Sequence, residues 1–197
     1  MLSVTGRLPL VNLARHVQPL GLHAASLAID RDVIQLCGAL TNDQLSWSPG
    51  PGDWCIAQIL AHLRITTEVF LPVVDAALET SNALDLRSAG PFPLSLYGRV
   101  LVWQMESRPI KLKSPKAVLP CLLGSPSSEL QNFVRSQAAM RQRLEAASGL
   151  DLTARRFPSP LVSCFRVNLL EFFSLSNAHA RRHLRQANRL RLALPTL

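Results

Sequence analysis

The feature that most constrains the fold is a run near the end of the chain, N-A-H-A-R-R-H-L-R-Q-A-N-R-L (177–190), inside a helix-like segment from Cys164 to Leu190. His179 and His183 stand four residues apart and Gln186 three further on, so a helix puts all three on one face. Leu169, Phe172 and Leu175 lie on or beside the same stripe, which turns that face inward. Two imidazoles projecting between packed helices make half a metal site. The rest of the chain must supply the other half, because an i, i+4 histidine pair alone is more often a surface or core-edge feature. Arg181, Arg182, Arg185, Arg189 and Arg191 read as a solvated face, several of them close to the negative end of the helix dipole.

Apolar spacing predicts three more long helices. Over 21–40, Leu22, Ser26, Ile29, Val33, Leu36 and Leu40 recur at three- and four-residue intervals. A tight S-P-G-P-G-D turn between Trp47 and Trp54 precedes a second helix over 54–79, with Asp53 as its expected N-cap. Ile56, Ile59, Leu60, Leu63 and Phe70 form its apolar side, His62 lies beside Ile59 and Thr66 on an adjoining stripe, and Pro72 should bend it. The third helix spans 127–147, with Ser125 or Ser127 as cap and Gly149 as its stop. The last spans 162–191. Between the second and third, residues 94–106 suggest a short helix, while 107–126 carries four prolines and all three lysines and cannot be one. The lysines, Lys111, Lys113 and Lys116, read as a solvated face.

These signals predict an all-α protein: a four-helix bundle with a long irregular crossover between the second and third main helices, and no sizeable sheet. Residues 1–19 read as an N-terminal arm and 20–192 as the bundle domain. His16 and His23 lie outside or at the edge of the first helix and have no clustered partners, so neither is expected to be a ligand.

The segments W-S-P-G-P-G-D-W-C-I-A-Q-I-L-A-H-L (47–63) and H-A-R-R-H-L-R-Q (179–186), in this order and more than a hundred residues apart, resemble the two motifs of the DinB-like family of four-helix bundles. The resemblance covers about residues 20–190. It implies that His62 joins His179 and His183 in holding one divalent transition metal (Zn, Ni, Fe or Mn). It also implies a metal-dependent enzyme acting on a small molecule, either a thiol-dependent transferase using a low-molecular-weight thiol or a hydrolase. The alternative is a non-catalytic, stress-associated metal-binding bundle. Together with the apolar residues Leu94, Leu96, Tyr97, Leu101 and Trp103, the resemblance further suggests a homodimer. Cys55 departs from the family's usual serine, which puts the capping of the second helix in question rather than the metal.

Three protein ligands with an open fourth position are the usual catalytic arrangement, and neutral imidazole suits these ions. Gln186, one turn past His183, is placed to hydrogen-bond a ligand from outside the coordination shell. Affinity should fall below about pH 6.5, the ordinary histidine value. Neither Glu68 nor Glu171 is spaced to sit beside a ligand as a general base. The net charge of +8 is mostly arginine and forms no DNA-binding motif or aromatic-interleaved patch, so nucleic acid is not the expected partner. No uninterrupted apolar run reaches membrane-spanning length. Four scattered cysteines, Cys37, Cys55, Cys121 and Cys164, read as free thiols in a reducing cytoplasm.

Overall fold

The computed structural model describes residues 16–107, 114–162 and 164–195. Most of the proposed N-terminal arm, together with Lys111 and Lys113, lies outside those residues. A short strand, β1 (His16–Val17), leads into α1 (Pro19–Cys37), whose proline occupies an early position where the missing amide costs nothing. Next comes a five-residue helix, α2 (Asn42–Ser46), too short to show apolar periodicity. Its signal is a capping box: Thr41 Oγ1 accepts from the Gln44 amide at 3.3 Å, and Gln44 Oε1 accepts from the Thr41 amide at 3.0 Å.

The central helix is α3 (Ile56–Ala83). Asp53 does not cap it. Cys55 occupies the cap position, and its amide donates to Gln58 Oε1 at 3.0 Å. Asp53 instead stays in the preceding turn, where its carbonyl accepts from Ser48 Oγ at 3.0 Å. The helix runs through Pro72, where the residue that loses its helical amide partner, Glu68, is exposed like the proline itself. α3 has the length and apolarity to cross a membrane, but half of the qualifying window is buried inside the bundle, as expected of a core helix.

A strand, β2 (Phe92–Pro93), pairs antiparallel with β1 and precedes α4 (Leu96–Ser107). In the described part of the crossover a 3-10 turn forms at Lys116–Val118, then α5 (Ser128–Ala146) follows. Gly149 turns the chain at φ 78°, a conformation that favours glycine. Two strands, β3 (Arg156–Pro158) and β4 (Arg166–Asn168), form an antiparallel hairpin, and α6 (Leu169–Leu192) completes the fold. The last helix therefore opens at residue 169, not 162. Asn168 Oδ1 accepts from the Glu171 amide at 2.8 Å and Glu171 Oε2 from the Asn168 amide at 3.2 Å, a capping box that fixes the start.

The long helices α1, α3, α5 and α6 form the bundle. α3 packs on α5 and α6, and α1 packs on the same two, so α1 and α3 face each other across a diagonal. One core cluster joins Ile56, Ile59, Leu60 and Leu63 of α3 to Ala180, Leu184 and Ala187 of α6. The other joins Val74 and Leu78 to Leu169, Leu170, Phe172 and Phe173. The early part of α3 thus meets the late part of α6, so the two run antiparallel. That pairing carries residue 62 to the level of residues 179 and 183.

A polar layer crosses the bundle as well: Arg141 pairs with Asp30 at 2.6 Å, Gln137 donates to Thr67 Oγ1 at 3.2 Å, and Asn177 donates to the Leu22 carbonyl at 3.0 Å. α4 lies against α6 outside the bundle. The two come close at Gly98, where a Cβ would lie 2.7 Å from Glu171 Cγ. Leu94 is buried and Leu101 partly buried, whereas Leu96, Tyr97, Val100 and Trp103 are exposed.

Candidate metal centre

Each imidazole is placed by a different local cause. His62 lies on α3 in the stretch that packs on α6, and it is buried. His179 and His183 share one face of α6, as their spacing requires. Together the three offer ligand nitrogens that all lie within 4.8 Å of one another. His62 Nε2 and His179 Nε2 are 3.4 Å apart. Two nitrogens bound at 2.0–2.1 Å to one tetrahedral ion stand about 3.3–3.4 Å apart, so this spacing fits a transition metal of zinc's size. The rings meet edge to face rather than stacked: centroids are 5.3 Å apart for His62 and His179, 4.9 Å for His62 and His183, and 4.6 Å for His179 and His183.

Hydrogen bonds assign the tautomers of two rings. His62 Nδ1 lies 2.7 Å from the Val118 carbonyl, which can only accept, so Nδ1 carries the proton and Nε2 keeps its lone pair. His183 Nδ1 lies 3.0 Å from Gln186 Oε1, with the same consequence. Gln186 therefore stands where the i+3 spacing puts it. A protein carbonyl or amide on the second nitrogen is the usual way of aiming a ligating imidazole.

Burial, more than charge, keeps the rings neutral. Burial lowers the pKa of His62, partly offset by the bond to Val118. Burial also holds His179 well below its ordinary value, with further lowering from His183, His62 and Arg182. His183 is pushed down to about 3, again mainly by burial and then by His62, with Gln186 opposing. All three shifts preserve the lone pairs that a metal needs. They also move proton competition below the pH of about 6.5 expected for ordinary histidines.

Arg181, Arg182 and Arg185 depart from the expected solvated face, whereas Arg189 and Arg191 are exposed as expected. Arg181 Nε donates to Glu106 at 2.9 Å, Arg185 to the Glu106 carbonyl at 2.9 Å, and Arg182 to the Met105 carbonyl at 3.3 Å. The latter two reach carbonyls near the end of α4, where a helix leaves carbonyls without partners of its own. Glu171 has no place beside the imidazoles. It is buried in its capping box and paired with Arg156 at 2.6 Å. Glu68 pairs with Arg64 at 2.9 Å. Among the described residues no carboxylate joins the three-histidine group. His23 is separate from it, bonded to Glu145 at 2.8 Å.

Trp54 and Val118 border the site without having been assigned a role from sequence. The Trp54 ring lies 5.0 Å from His62 and 6.4 Å from His183, forming a wall against both. Its position just before the helix that carries His62 was a usable signal. Val118 offered none, because it acts through its backbone and is 56 residues from His62 in sequence.

Comparison with known proteins agrees with the helical fold. The model of the DinB superfamily matches residues 28–187. Among solved structures, YfiT from Bacillus subtilis, described as a probable metal-dependent hydrolase with an unusual four-helix bundle topology, superposes with a TM-score of 0.57 at 15% identity. The match covers 87% of this chain and 85% of that one, and at this identity it speaks for the fold. A search of curated proteins found no match. With most of its length matched by the family and its bundle shared with YfiT, the chain belongs to the DinB superfamily.

Proposed function

We propose that His62, His179 and His183 hold one divalent transition ion and that the protein is a metal-dependent enzyme acting on a small molecule. The observation that carries this reading is the convergence of three neutral imidazole nitrogens, two of them with tautomers set by Val118 and Gln186. A divalent ion held there would supply Lewis acidity, lowering the proton affinity of a water or thiol and polarising a substrate group. The chain's own contribution is to aim the three nitrogens from two helices and to wall one side of the site with Trp54. With no carboxylate in the cluster, the reactions best served are those in which the nucleophile is activated by the metal itself: hydrolysis by water, or transfer to a low-molecular-weight thiol. The description of YfiT as a probable metal-dependent hydrolase favours the first.

The missing carboxylate also favours a second reading, a metal-binding bundle without turnover. A panel of small esters, amides and thiol-acceptor electrophiles separates the two. Metal-loaded protein should turn over at least one class, and chelator-treated and His179→Ala protein should not. Full metal loading with no turnover across the panel would favour the second reading.

The same proposal includes a cytoplasmic homodimer. Its supports are four free cysteines and the exposed face of Leu96, Tyr97, Val100 and Trp103 on α4.

A further inference from the structure

The metal site leaves one cluster of buried charge unexplained. Arg64, two residues past His62, is 4% exposed and Glu129 is 0% exposed. Arg64 uses its whole fork: Nε donates to Glu129 at 3.1 Å, one terminal nitrogen to Glu68 at 2.9 Å, and the other to the Cys121 carbonyl at 2.8 Å. Glu129, in the first turn of α5, also accepts the amide of Leu123. The Leu123 carbonyl in turn accepts from Ser128 Oγ at 2.8 Å. An ion pair buried this deeply adds little stability over apolar packing, so what it positions matters more than what it stabilises.

It positions a strap. Cys121 and Leu123 belong to the crossover, and three residues before Cys121 stands Val118, whose carbonyl takes the Nδ1 proton of His62. The path between them is short and stiff. Pro120 fixes its own φ, and Leu119 before it sits at φ −62° and ψ 141°, the extended region that a following proline imposes. The 3-10 turn closes the other end, with the Val118 amide donating to the Pro115 carbonyl at 3.0 Å. Fixing Cys121 on Arg64 and Leu123 on Glu129 therefore fixes the Val118 carbonyl.

We propose that Arg64 and Glu129 are positioning residues of the metal centre, anchoring the 118–123 strap so that the Val118 carbonyl holds His62 with Nε2 free for the ion. The proposal rests on His62 being a ligand. Removing the anchor should let the strap drift, leave His62 Nδ1 without its acceptor, and mix the two tautomers. Loss of such an outer hydrogen bond weakens metal binding by about 10- to 100-fold.

The test compares the wild type with Arg64→Met/Glu129→Gln, in which the buried charges leave together while the introduced side-chain amide keeps an acceptor for the Leu123 N–H. A second variant, Arg64→Lys, retains a cation opposite Glu129 but cannot reach Glu68, Glu129 and Cys121 at once, which keeps the test open should the double variant fail to fold. A control, Asp30→Asn/Arg141→Met, removes a buried pair from the polar layer without touching the strap. Two measurements are made on each: Co2+ affinity by visible absorption, and the His62 tautomer in metal-free protein by long-range proton–nitrogen NMR. Loss of about 10- to 100-fold in the double variant, a smaller loss in Arg64→Lys, a mixed His62 tautomer in both and unchanged Co2+ affinity in the control would support the proposal. Wild-type affinity with an unchanged His62 tautomer in the folded strap variants would overturn it, and so would an equal affinity loss in the control. Should the wild type bind no Co2+, the metal reading fails, and the metal-free tautomer measurement still decides whether Arg64 and Glu129 position His62.

Discussion

Acid should destabilise the metal-free protein through its three clustered histidines, and His183 sets the scale. Burial and the neighbouring His62 hold its folded-state pKa at about 3, against the opposing bond to Gln186. In the unfolded chain the same imidazole titrates near about 6.5. As pH falls through that value the unfolded state takes up a proton and the folded state does not. The stability contributed by the neutral, half-buried ring is thus full above about 6.5 and is lost progressively as pH falls toward the folded-state pKa. The loss from His183 reaches about 2 kcal/mol at about pH 5 and grows by about 1.4 kcal/mol per further unit. His62 and His179 shift in the same direction and steepen the slope. Urea unfolding of chelator-treated protein near neutral pH and near pH 5, wild type beside His183→Leu, isolates the contribution, since the carboxylates titrate in both. The variant should lose about 2 kcal/mol less than the wild type over that interval. Equal losses would refute the claim that residue 183 is held as a neutral imidazole.

Other expectations follow from single contacts. Gly98→Ala should cost about 1–3 kcal/mol in thermal or urea unfolding, because its methyl group would meet Glu171 and Leu94, while metal content stays unchanged. Trp54 stands close enough to His62 and His183 that Cu2+ or Ni2+ should quench a fraction of the tryptophan fluorescence, and Trp54→Phe should remove that fraction. Sedimentation at micromolar concentration should show a dimer that Leu96→Glu or Val100→Glu dissociates; a wild-type monomer would remove the homodimer from the account.

The long helices were legible in sequence because each repeats its apolar residues at helical spacing over many turns. The i, i+4 pair on α6 was legible for the same reason, and the motif around His62 pointed to the third imidazole. What escaped was either short or distant. Residues 162–168 continue the apolar character of α6, yet the last three of them pair as a strand with Arg156–Pro158. The Asn168-x-x-Glu171 capping signal marked the true start, and it outweighs apolar content. Arg181 looked solvated because its partner, Glu106, is 75 residues away. Val118 and the Arg64–Glu129 pair were illegible because a crossover rich in proline has no periodicity from which to read its path.

The most direct test of the central claim is elemental analysis with X-ray absorption on protein purified without a chelator or a polyhistidine tag. The account predicts about one equivalent of a single transition metal, with three imidazole nitrogens near 2.0–2.1 Å and a water or small ligand completing the shell. His62→Ala, His179→Ala and His183→Ala should each lose most of it while keeping the helical circular dichroism, and His23→Ala should keep it all. Full metal content in the three site variants, or a folded wild type that takes up no transition metal when one is supplied, would contradict the account.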